Sequence, residues 1–481
     1  MLNARAAVLF CRTGAQYATA TAATGVVQGS SRCLHTFPQT RPEEGPPAVG
    51  LGLELPHLKR TGCIYLDYNA TTPIFPEVAA EMAPFLFEHF GNPSSGHTYG
   101  RVCKAALDTA RGRVAQLLGA SDPLEVHFTS CGTESDNWAI YGAVMAARMA
   151  QLRLQPQLQP VGPPPHVVTS AVEHPAVLVH LKHLQDQGLL TYTAVPVDGE
   201  GLVDPDQAAA AVQPNTALVT IMHSNNEVGA VQPIAKIAAA VRQAHARAIA
   251  AAGGDAQGAA TGALLVHSDA AQSTGKVELD VEALGVDALT IVGHKFGAPK
   301  GVAALYIRRG VTLPNYFHGG GQEAGRRAGT ENIMQVVGLG AAAVVARQEG
   351  PQLRKHIGEM AERLLGAVRA EMRAEDQDKL WVNGPRDPAR RLPNTLSLSI
   401  RGLNSALALQ RLSTQLAASA GAACHSADGA SVSAVLRAMK IPLEFAKGTL
   451  RLSTGRHTTA QDVDRAAKLI VEEARRQDIL G

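Results

Sequence analysis

The chain has 481 residues, 46% of them apolar and 4% aromatic, and a formal net charge of +2. This length suits two domains with sizeable cores, and the nearly balanced charge gives no reason to expect nucleic acid or an acidic membrane as a partner. No stretch approaches the roughly 18 consecutive apolar residues of a membrane span, and the six cysteines lack the spacing of a disulfide framework or a metal site.

The N-terminal segment differs from the rest in composition. Residues 1–42 contain four arginines and many Ala, Ser and Thr residues, and no Asp or Glu precedes Glu43. This composition is typical of an organelle transit peptide. We therefore expect residues 1–60 to be a transit peptide and an unfolded linker. We expect import into mitochondria first and import into plastids second. If the segment is not a targeting signal, we expect a cytosolic protein.

From residue 64 onward, short apolar runs alternate with Ala-rich helical segments, which predicts a parallel sheet with crossover helices. Two segments, 155–165 and 253–262, have the composition of loop insertions. The predicted strands are 126–129, 167–169, 217–221, 264–267 and 288–292, and helices between them include 101–118 and 234–252.

The C-terminal part has a different pattern of elements. One long helical stretch, roughly 333–371, precedes strand signals at 395–400 and 449–453 and a final amphipathic helix over 460–476. We predict an α/β fold with a large domain. The predicted boundaries are 61–335 for this domain and 336–481 for a smaller α+β domain.

An aspartate and a lysine lie at the ends of two neighbouring predicted strands. Asp269 follows the run 264–267, and Lys295 follows the run 288–292. The carboxyl ends of parallel strands are where α/β sheets bind ligands. Pyridoxal phosphate needs a lysine amine for its aldehyde and a carboxylate for its ring nitrogen, so this pair suits that cofactor. A plain Lys–Asp ion pair is the alternative.

Three further polar segments follow strands of the same sheet. Segment 129–135 opens a helix, so its N–H groups and hydroxyls can hold a phosphate, although the same turn also makes a good helix cap. His174 can stack on a pyridine ring or simply cap the next helix. Asn226 can bond a phenolate oxygen or a substrate carboxylate, or form a turn.

Two residues of the C-terminal region complete the set of candidates. Cys424 lies among small residues on a polar loop, 419–429, which suits a reaching nucleophile better than the filler role of most lone cysteines. Arg451, on the predicted strand 449–453, can grip a carboxylate with two N–H groups or form an ion pair.

These motifs resemble those of class V, fold-type I pyridoxal phosphate enzymes, specifically the cysteine desulfurases and selenocysteine lyases. The resemblance extends from about residue 64 to 474 and includes the segments 65–73, 91–95 and 326–332. It implies a large domain with a mixed, mostly parallel seven-stranded sheet, a smaller C-terminal domain, pyridoxal phosphate as cofactor, and a homodimer.

The resemblance also implies roles for single residues around the cofactor. Lys295 would be the Schiff-base lysine, and Asp269 would pair with the pyridine nitrogen. Gln272 would bond the phenolate oxygen, and His174 would stack on the ring. The residues implied for the phosphate are Gly132, Thr133, His294 and, from the other subunit, Thr330.

On the substrate side, the resemblance implies that Asn226 and Arg451 orient the carboxylate and that Cys424 attacks selenium or sulfur. Many desulfurases have Ser at the position of Val292, whereas selenocysteine lyases typically share the Val of this chain. Animal lyases tend to have Asp at the position of Pro175, which is a residue that desulfurases also use. We predict a selenocysteine lyase-like enzyme, with a cysteine desulfurase as the close alternative and a selenium or sulfur acceptor protein as a possible partner. A non-catalytic scaffold and an ordinary transaminase are more distant alternatives.

Overall fold

In a computed structural model of the chain, the described residues are 61–154, 163–252, 264–421 and 432–481. The predicted transit peptide and linker, most of the first predicted insertion, the second insertion and Cys424 lie outside them. Among the described residues, no helix has the length and apolar character to cross a membrane. In the same part of the chain, no group of three or more His, Cys, Asp or Glu side chains is placed to hold a metal ion.

The strands form one large sheet and two smaller ones. They are β1 (Ile64–Tyr65), β2 (Val126–Thr129), β3 (His166–Ser170), β4 (Thr191–Val195), β5 (Thr216–Thr220), β6 (Leu265–Asp269), β7 (Ala288–Val292), β8 (Ala303–Ile307), β9 (Leu380–Asn383), β10 (Thr395–Ile400), β11 (Leu416–Ala417), β12 (Ser419–Ala420) and β13 (Thr449–Ser453). The large sheet has seven strands in the order β2-β8-β7-β6-β5-β3-β4. Only β8 runs against the others in it, so the predicted mixed, mostly parallel sheet is confirmed.

The large sheet is covered on both faces, which explains why all its strands except β4 are buried along nearly their whole length. Neighbouring residues of one strand point to opposite faces. Val168 and Val219 accordingly belong to one apolar cluster, and Val167 and Leu218 belong to another. The first cluster includes residues of the helices Thr98–Leu118, Ile234–Ala251 and Ile333–Gln348, and the second includes residues of Gly132–Leu154 and Pro175–Asp186.

One predicted helix is in fact two. The stretch 333–371 is divided at Glu349 into Ile333–Gln348 and Gly350–Glu371. Pro351 has no N–H group and tolerates only the first turn of a helix, so the second helix starts just before it. The remaining helices are Pro76–Met82, Pro84–Phe87, Pro205–Ala210, Val281–Leu284, Ser405–Leu412, Ala434–Ala438, Leu443–Ala446 and Ala460–Arg476.

The C-terminal region has its own antiparallel sheet, in the order β12-β13-β10-β9, and its own apolar cluster. The predicted strands 395–400 and 449–453 and the final helix are confirmed. The N-terminal strand β1 pairs with β11, and Ile64 packs in the C-terminal cluster. Residues from before and after the predicted domain boundary at 335/336 therefore pack in the same apolar clusters. The boundary itself stays a prediction.

Candidate active site

Five strands of the large sheet end at one edge and open into one cavity there. β2, β3, β5, β6 and β7 run in the same direction, so their carboxyl ends lie together. The cavity has a volume of about 270 Å³. Its lining includes most of the predicted site residues: Gly132, Thr133, His174, Asn226, Asp269, Gln272, His294 and Lys295.

Lys295 ends a short 3₁₀ turn that follows β7 directly. Its Nζ donates hydrogen bonds to the backbone carbonyls of Asn69, at 2.7 Å, and Ala70, at 2.9 Å. Burial, followed by the positive charge of Arg451, lowers the pKa of Lys295 to about 8, against the opposing effect of Asp269. About a tenth of the amine is therefore uncharged at pH 7, against less than a thousandth of an ordinary lysine, and the uncharged form is the one that reacts with an aldehyde.

Asp269 is the last residue of β6 and is only 7% exposed. Its Oδ1 accepts a hydrogen bond from the Ala271 N–H at 2.8 Å. Burial raises the pKa of Asp269, and the Ala271 N–H, His174 and Lys295 oppose that shift. Among the described residues, no ion pair joins Asp269 to Lys295, because the lysine amine donates to carbonyls instead. The alternative of a plain Lys–Asp ion pair is therefore wrong.

His174 caps a helix and also lies in the cavity lining, while its stacking on a cofactor ring stays a prediction. It caps the helix Pro175–Asp186, with its Nδ1 accepting the Ala176 N–H at 3.1 Å, and its ring also lines the cavity. Loss of hydration lowers the pKa of His174, Asp269 raises it and Lys295 lowers it again. A ring with a lowered pKa is neutral near pH 7, which suits stacking on an aromatic cofactor.

The predicted phosphate cradle is the start of the helix Gly132–Leu154, directly after β2. A Cβ at Gly132 would lie 2.6 Å from Cγ2 of Val292, so only glycine fits against β7 at this point. Glu134 accepts hydrogen bonds from Ser130 and forms an ion pair with Arg327 at 2.7 Å. The cradle is thereby tied to the segment 326–332 described above.

His294 lies on the other side of the cradle, where its Nδ1 is 3.2 Å from the Thr71 hydroxyl. Burial and the nearby lysines lower the pKa of His294 to about 4. The ring is therefore neutral at physiological pH and offers a single N–H group as a donor. When the Thr71 hydroxyl donates to Nδ1, that N–H lies on Nε2 and can donate to a phosphate oxygen without adding positive charge to the site.

Two predicted residues in the described part of the chain do not line the cavity. Arg451 donates from Nη2 to Oδ1 of Asp67 at 2.8 Å and from Nη1 to the Asn226 carbonyl at 3.2 Å, so it adjoins the cavity through Asn226. Its Nε is buried without a hydrogen-bond partner. Thr330 is exposed on its loop. Cys424 lies outside the described residues, and its role stays a prediction.

Sequence reasoning missed three buried polar residues at the site. Asp136 lines the cavity, and its position three residues after Thr133 on one helix face could have indicated this. Lys276 follows Gln272 by four residues in a helical turn and could have been found by the same spacing. Asn69 lies in the segment 65–73, but no local pattern indicates that it joins Lys295 to Thr395 of the C-terminal sheet.

The cavity fits pyridoxal phosphate in chemistry and in size. It combines a lysine amine of lowered pKa, a buried carboxylate, a neutral imidazole and a helix N-terminus that suits a phosphate. Its volume is close to the lower end of the ~300–1,000 Å³ of small-molecule sites. When bound, the cofactor supplies an aldehyde for the substrate amine and a ring that withdraws electrons from the substrate Cα. The fold and this cavity define a pyridoxal phosphate-dependent enzyme.

Comparison with known proteins identifies the family. The Aminotransferase class-V family matches residues 64–466. A cysteine desulfurase of Trichormus azollae is 41% identical over 410 residues, which cover 85% of this chain and 92% of the relative. A selenocysteine lyase of Homo sapiens is 40% identical over 411 residues, which cover 83% of this chain and 89% of the relative. The chain belongs to the class-V aminotransferase family.

A solved structure agrees with this assignment. The structure of a NifS-like protein aligns with a TM-score of 0.71 at 32% identity, over 85% of this chain and 98% of the solved chain. The fold-type I architecture implied by the sequence is therefore confirmed, together with pyridoxal phosphate as the cofactor.

Proposed function

We propose that this chain is a selenocysteine lyase-like enzyme that removes selenium from selenocysteine and releases alanine. The observation that carries the proposal is the single cavity in which the Lys295 amine and the Asp269 carboxylate both lie. The similarity to a human selenocysteine lyase supports the reaction class, and the equally strong similarity to a cysteine desulfurase makes cysteine the competing substrate.

Lys295 and Cys424 carry out the proposed proton and chalcogen transfers, and Arg451 orients the substrate. The Lys295 amine, with its pKa of about 8, takes the proton from the substrate Cα. The Cys424 thiolate then attacks selenium, so that the C–Se bond breaks and an S–Se bond forms. The three-carbon fragment takes up protons and leaves as alanine, and an external thiol reductant releases the selenium from Cys424. Arg451 holds the substrate carboxylate while this occurs.

Val292 favours selenium over sulfur chemistry in this proposal. It replaces the Ser that many desulfurases use as a phosphate ligand, and its side chain packs against the cradle glycine, Gly132. The hydroxyl that this Ser would donate to the phosphate is therefore absent from the cradle. Pro175, the residue directly after the stacking histidine, is a feature shared with desulfurases. It favours the second candidate, a cysteine desulfurase that supplies sulfur to an assembly pathway.

The deciding experiment compares kcat/KM for selenocysteine and cysteine on the purified full-length chain, with alanine release as the readout and dithiothreitol as the reductant. We expect selenocysteine to be the better substrate. Cysteine turnover that equals or exceeds selenocysteine turnover would make the chain a desulfurase. Cys424→Ser is the matched control: it should keep the yellow cofactor and lose alanine release. A colourless wild type that releases no alanine would support the scaffold.

We also propose that the active enzyme is a homodimer in which Thr330 completes the phosphate site of the other subunit. Its exposure on a loop tied to the cradle through Arg327 supports this arrangement. Sedimentation of the purified chain tests the oligomeric state. Mixing Lys295→Ala with Thr330→Ala subunits tests the shared site. In a hybrid dimer, the Thr330→Ala subunit keeps Lys295 and receives an intact Thr330 from the other subunit, so one active site is restored.

Residues 1–42 are proposed to direct the chain to mitochondria, with plastids as the second possibility. Their arginines and the absence of acidic residues before Glu43 support this. A fluorescent protein fused after residue 60 tests the address, and diffuse cytosolic fluorescence would overturn it.

A further inference from the structure

Lys276 is a buried lysine that the proposed reaction does not use. Its side chain is 6% exposed, and among the described residues no carboxylate forms an ion pair with it. Its Nζ donates to Oε1 of Gln272 at 2.9 Å and to Oδ1 of Asn69 at 3.2 Å. Burial, followed by Lys295 and Arg451, lowers the pKa of Lys276 well below that of an ordinary lysine. A buried amine is costly, so its two amide partners require an explanation.

The contact with Lys276 fixes which way the Gln272 amide faces. A lysine nitrogen with its protons directed at an amide must meet the oxygen of that amide and not its NH₂ group. Oε1 of Gln272 therefore faces Lys276, and Nε2 donates one of its protons to the Asn69 carbonyl at 2.9 Å. The second N–H of Nε2 is left for the cavity, which Gln272 lines.

Asn69 accepts hydrogen bonds from both the Gln272 amide and the Lys276 amine. It is 1% exposed, and its backbone carbonyl accepts from Gln272 and from Lys295. Its Oδ1 accepts from Lys276 and from Nδ2 of Asn394, at 3.0 Å. The orientation of the Asn69 amide is thus fixed by two donors, and the Lys276 amine has a defined position between the two amide oxygens.

We propose that Lys276 is a positioning residue of the cofactor site, which locks the Gln272 amide so that its N–H faces the phenolate oxygen of pyridoxal phosphate. The inference rests on the proposed role of Gln272. Without Lys276, only the Asn69 carbonyl holds the Gln272 amide in this orientation, so the amide turns its oxygen toward the cavity more easily. There it would repel the phenolate instead of donating to it.

The test is a double-mutant cycle read from cofactor binding. Apoprotein of the wild type, Gln272→Ala, Lys276→Met and the double variant is titrated with pyridoxal phosphate. The visible absorbance of each loaded protein is then followed against pH. Lys276→Met keeps the length of the side chain and removes its donors, and Lys236→Met, at an exposed helical position, is the matched control.

Each single variant is expected to weaken cofactor affinity about tenfold, the effect of losing one hydrogen bond to a charged group. The double variant should be no weaker than Gln272→Ala alone, because Lys276 acts through Gln272. In both single variants the pH midpoint of the absorbance change should rise, since the phenolate loses a donor. A cofactor-loaded Lys276→Met protein with the wild-type affinity and midpoint would overturn the inference. So would losses that multiply to about a hundredfold in the double variant.

A further variant guards against misfolding of Lys276→Met. Gln272→Glu removes the N–H groups and sets an oxygen against the Asn69 carbonyl, but it gives Lys276 a carboxylate partner, so the apoprotein should remain folded while its cofactor affinity falls. A cofactor affinity of this variant equal to that of the wild type would overturn the inference. Failure of the wild type to bind pyridoxal phosphate would refute the proposed function itself. Gln272→Ala with unchanged binding would refute only the role of Gln272 and the inference built on it.

Discussion

Two buried carboxyl groups line the same cavity, and the structure predicts opposite results for their replacement. Asp269 is supported in its charged form by the Ala271 N–H, His174 and Lys295. Asp136 has an Oδ1 without a hydrogen-bond partner, and burial together with Asp269 raises its pKa well above the usual range. Burial and the charge of Asp269 thus favour the protonated form of Asp136, which leaves Asp269 as the carboxylate available to a pyridine nitrogen.

The expected losses of cofactor affinity follow from the charges of the two carboxyl groups. Asp269→Asn replaces a charge-assisted hydrogen bond worth about 1.5–3 kcal/mol, so cofactor affinity should fall roughly ten- to a hundredfold. Asp136→Asn replaces a neutral acid with a neutral amide of similar shape. Cofactor affinity should therefore change by less than about threefold, the scale of an ordinary neutral replacement.

The assay is a titration of each apoprotein with pyridoxal phosphate, followed by quenching of intrinsic fluorescence. Both variants replace a carboxyl group with an amide of the same shape in the same cavity, so each is the control of the other. Equal losses in the two variants would refute the assignment of charge. Unchanged binding by Asp269→Asn would refute the pairing of Asp269 with the cofactor.

Three further predictions follow from other parts of the structure. Because burial lowers the pKa of Lys295 to about 8, the rate at which apoprotein takes up pyridoxal phosphate should rise with pH and level off above that value; a rise continuing toward 10.5, the ordinary lysine value, would contradict this. Glu323→Ala breaks a buried, two-point ion pair with Arg111 at 2.7 Å, and should lower the free energy of unfolding in urea by about 3–5 kcal/mol. Asp464→Ala breaks an exposed pair of similar geometry and should move the unfolding midpoint little, so equal effects would refute the role of burial. Cys131 is an exposed thiol in the cavity, so iodoacetamide should alkylate it in apoprotein and far less in loaded protein, as read by peptide mass spectrometry; equal labelling would place the cofactor elsewhere.

Much of the site was predictable because it lies at the ends of strands. Asp269 ends β6 and Lys295 follows β7, and a parallel sheet brings those ends together whatever the remainder of the chain does. The break at Glu349 was also readable in principle, because Pro351 is a local signal that favours the start of a new helix. The long helical prediction gave too much weight to apolar periodicity and too little to this proline.

The contacts of Asn69, by contrast, have no local signal. Its partner Gln272 is more than 200 positions away in the chain, and its partner Asn394 is more than 300 positions away. The hydrogen bonds of Asn69 to these residues depend on how the strands and loops pack. The same holds for Arg451. The sequence left open whether it binds a carboxylate or forms an ion pair, and the fold places Asp67 beside it.

The sequence by itself determined the sheet and the chemical types that meet at its edge, because strand periodicity and the residues after each strand are local properties. Only the tertiary structure decided that Lys295 donates to carbonyls instead of to Asp269. It also decided that Oδ1 of Asp136 is left without a hydrogen bond, and that Lys276 and the Asn69 carbonyl together contact the Gln272 amide. These outcomes depend on burial and on distances between segments far apart in the chain, which shift the pKa of a group and orient an amide in ways that no local pattern encodes.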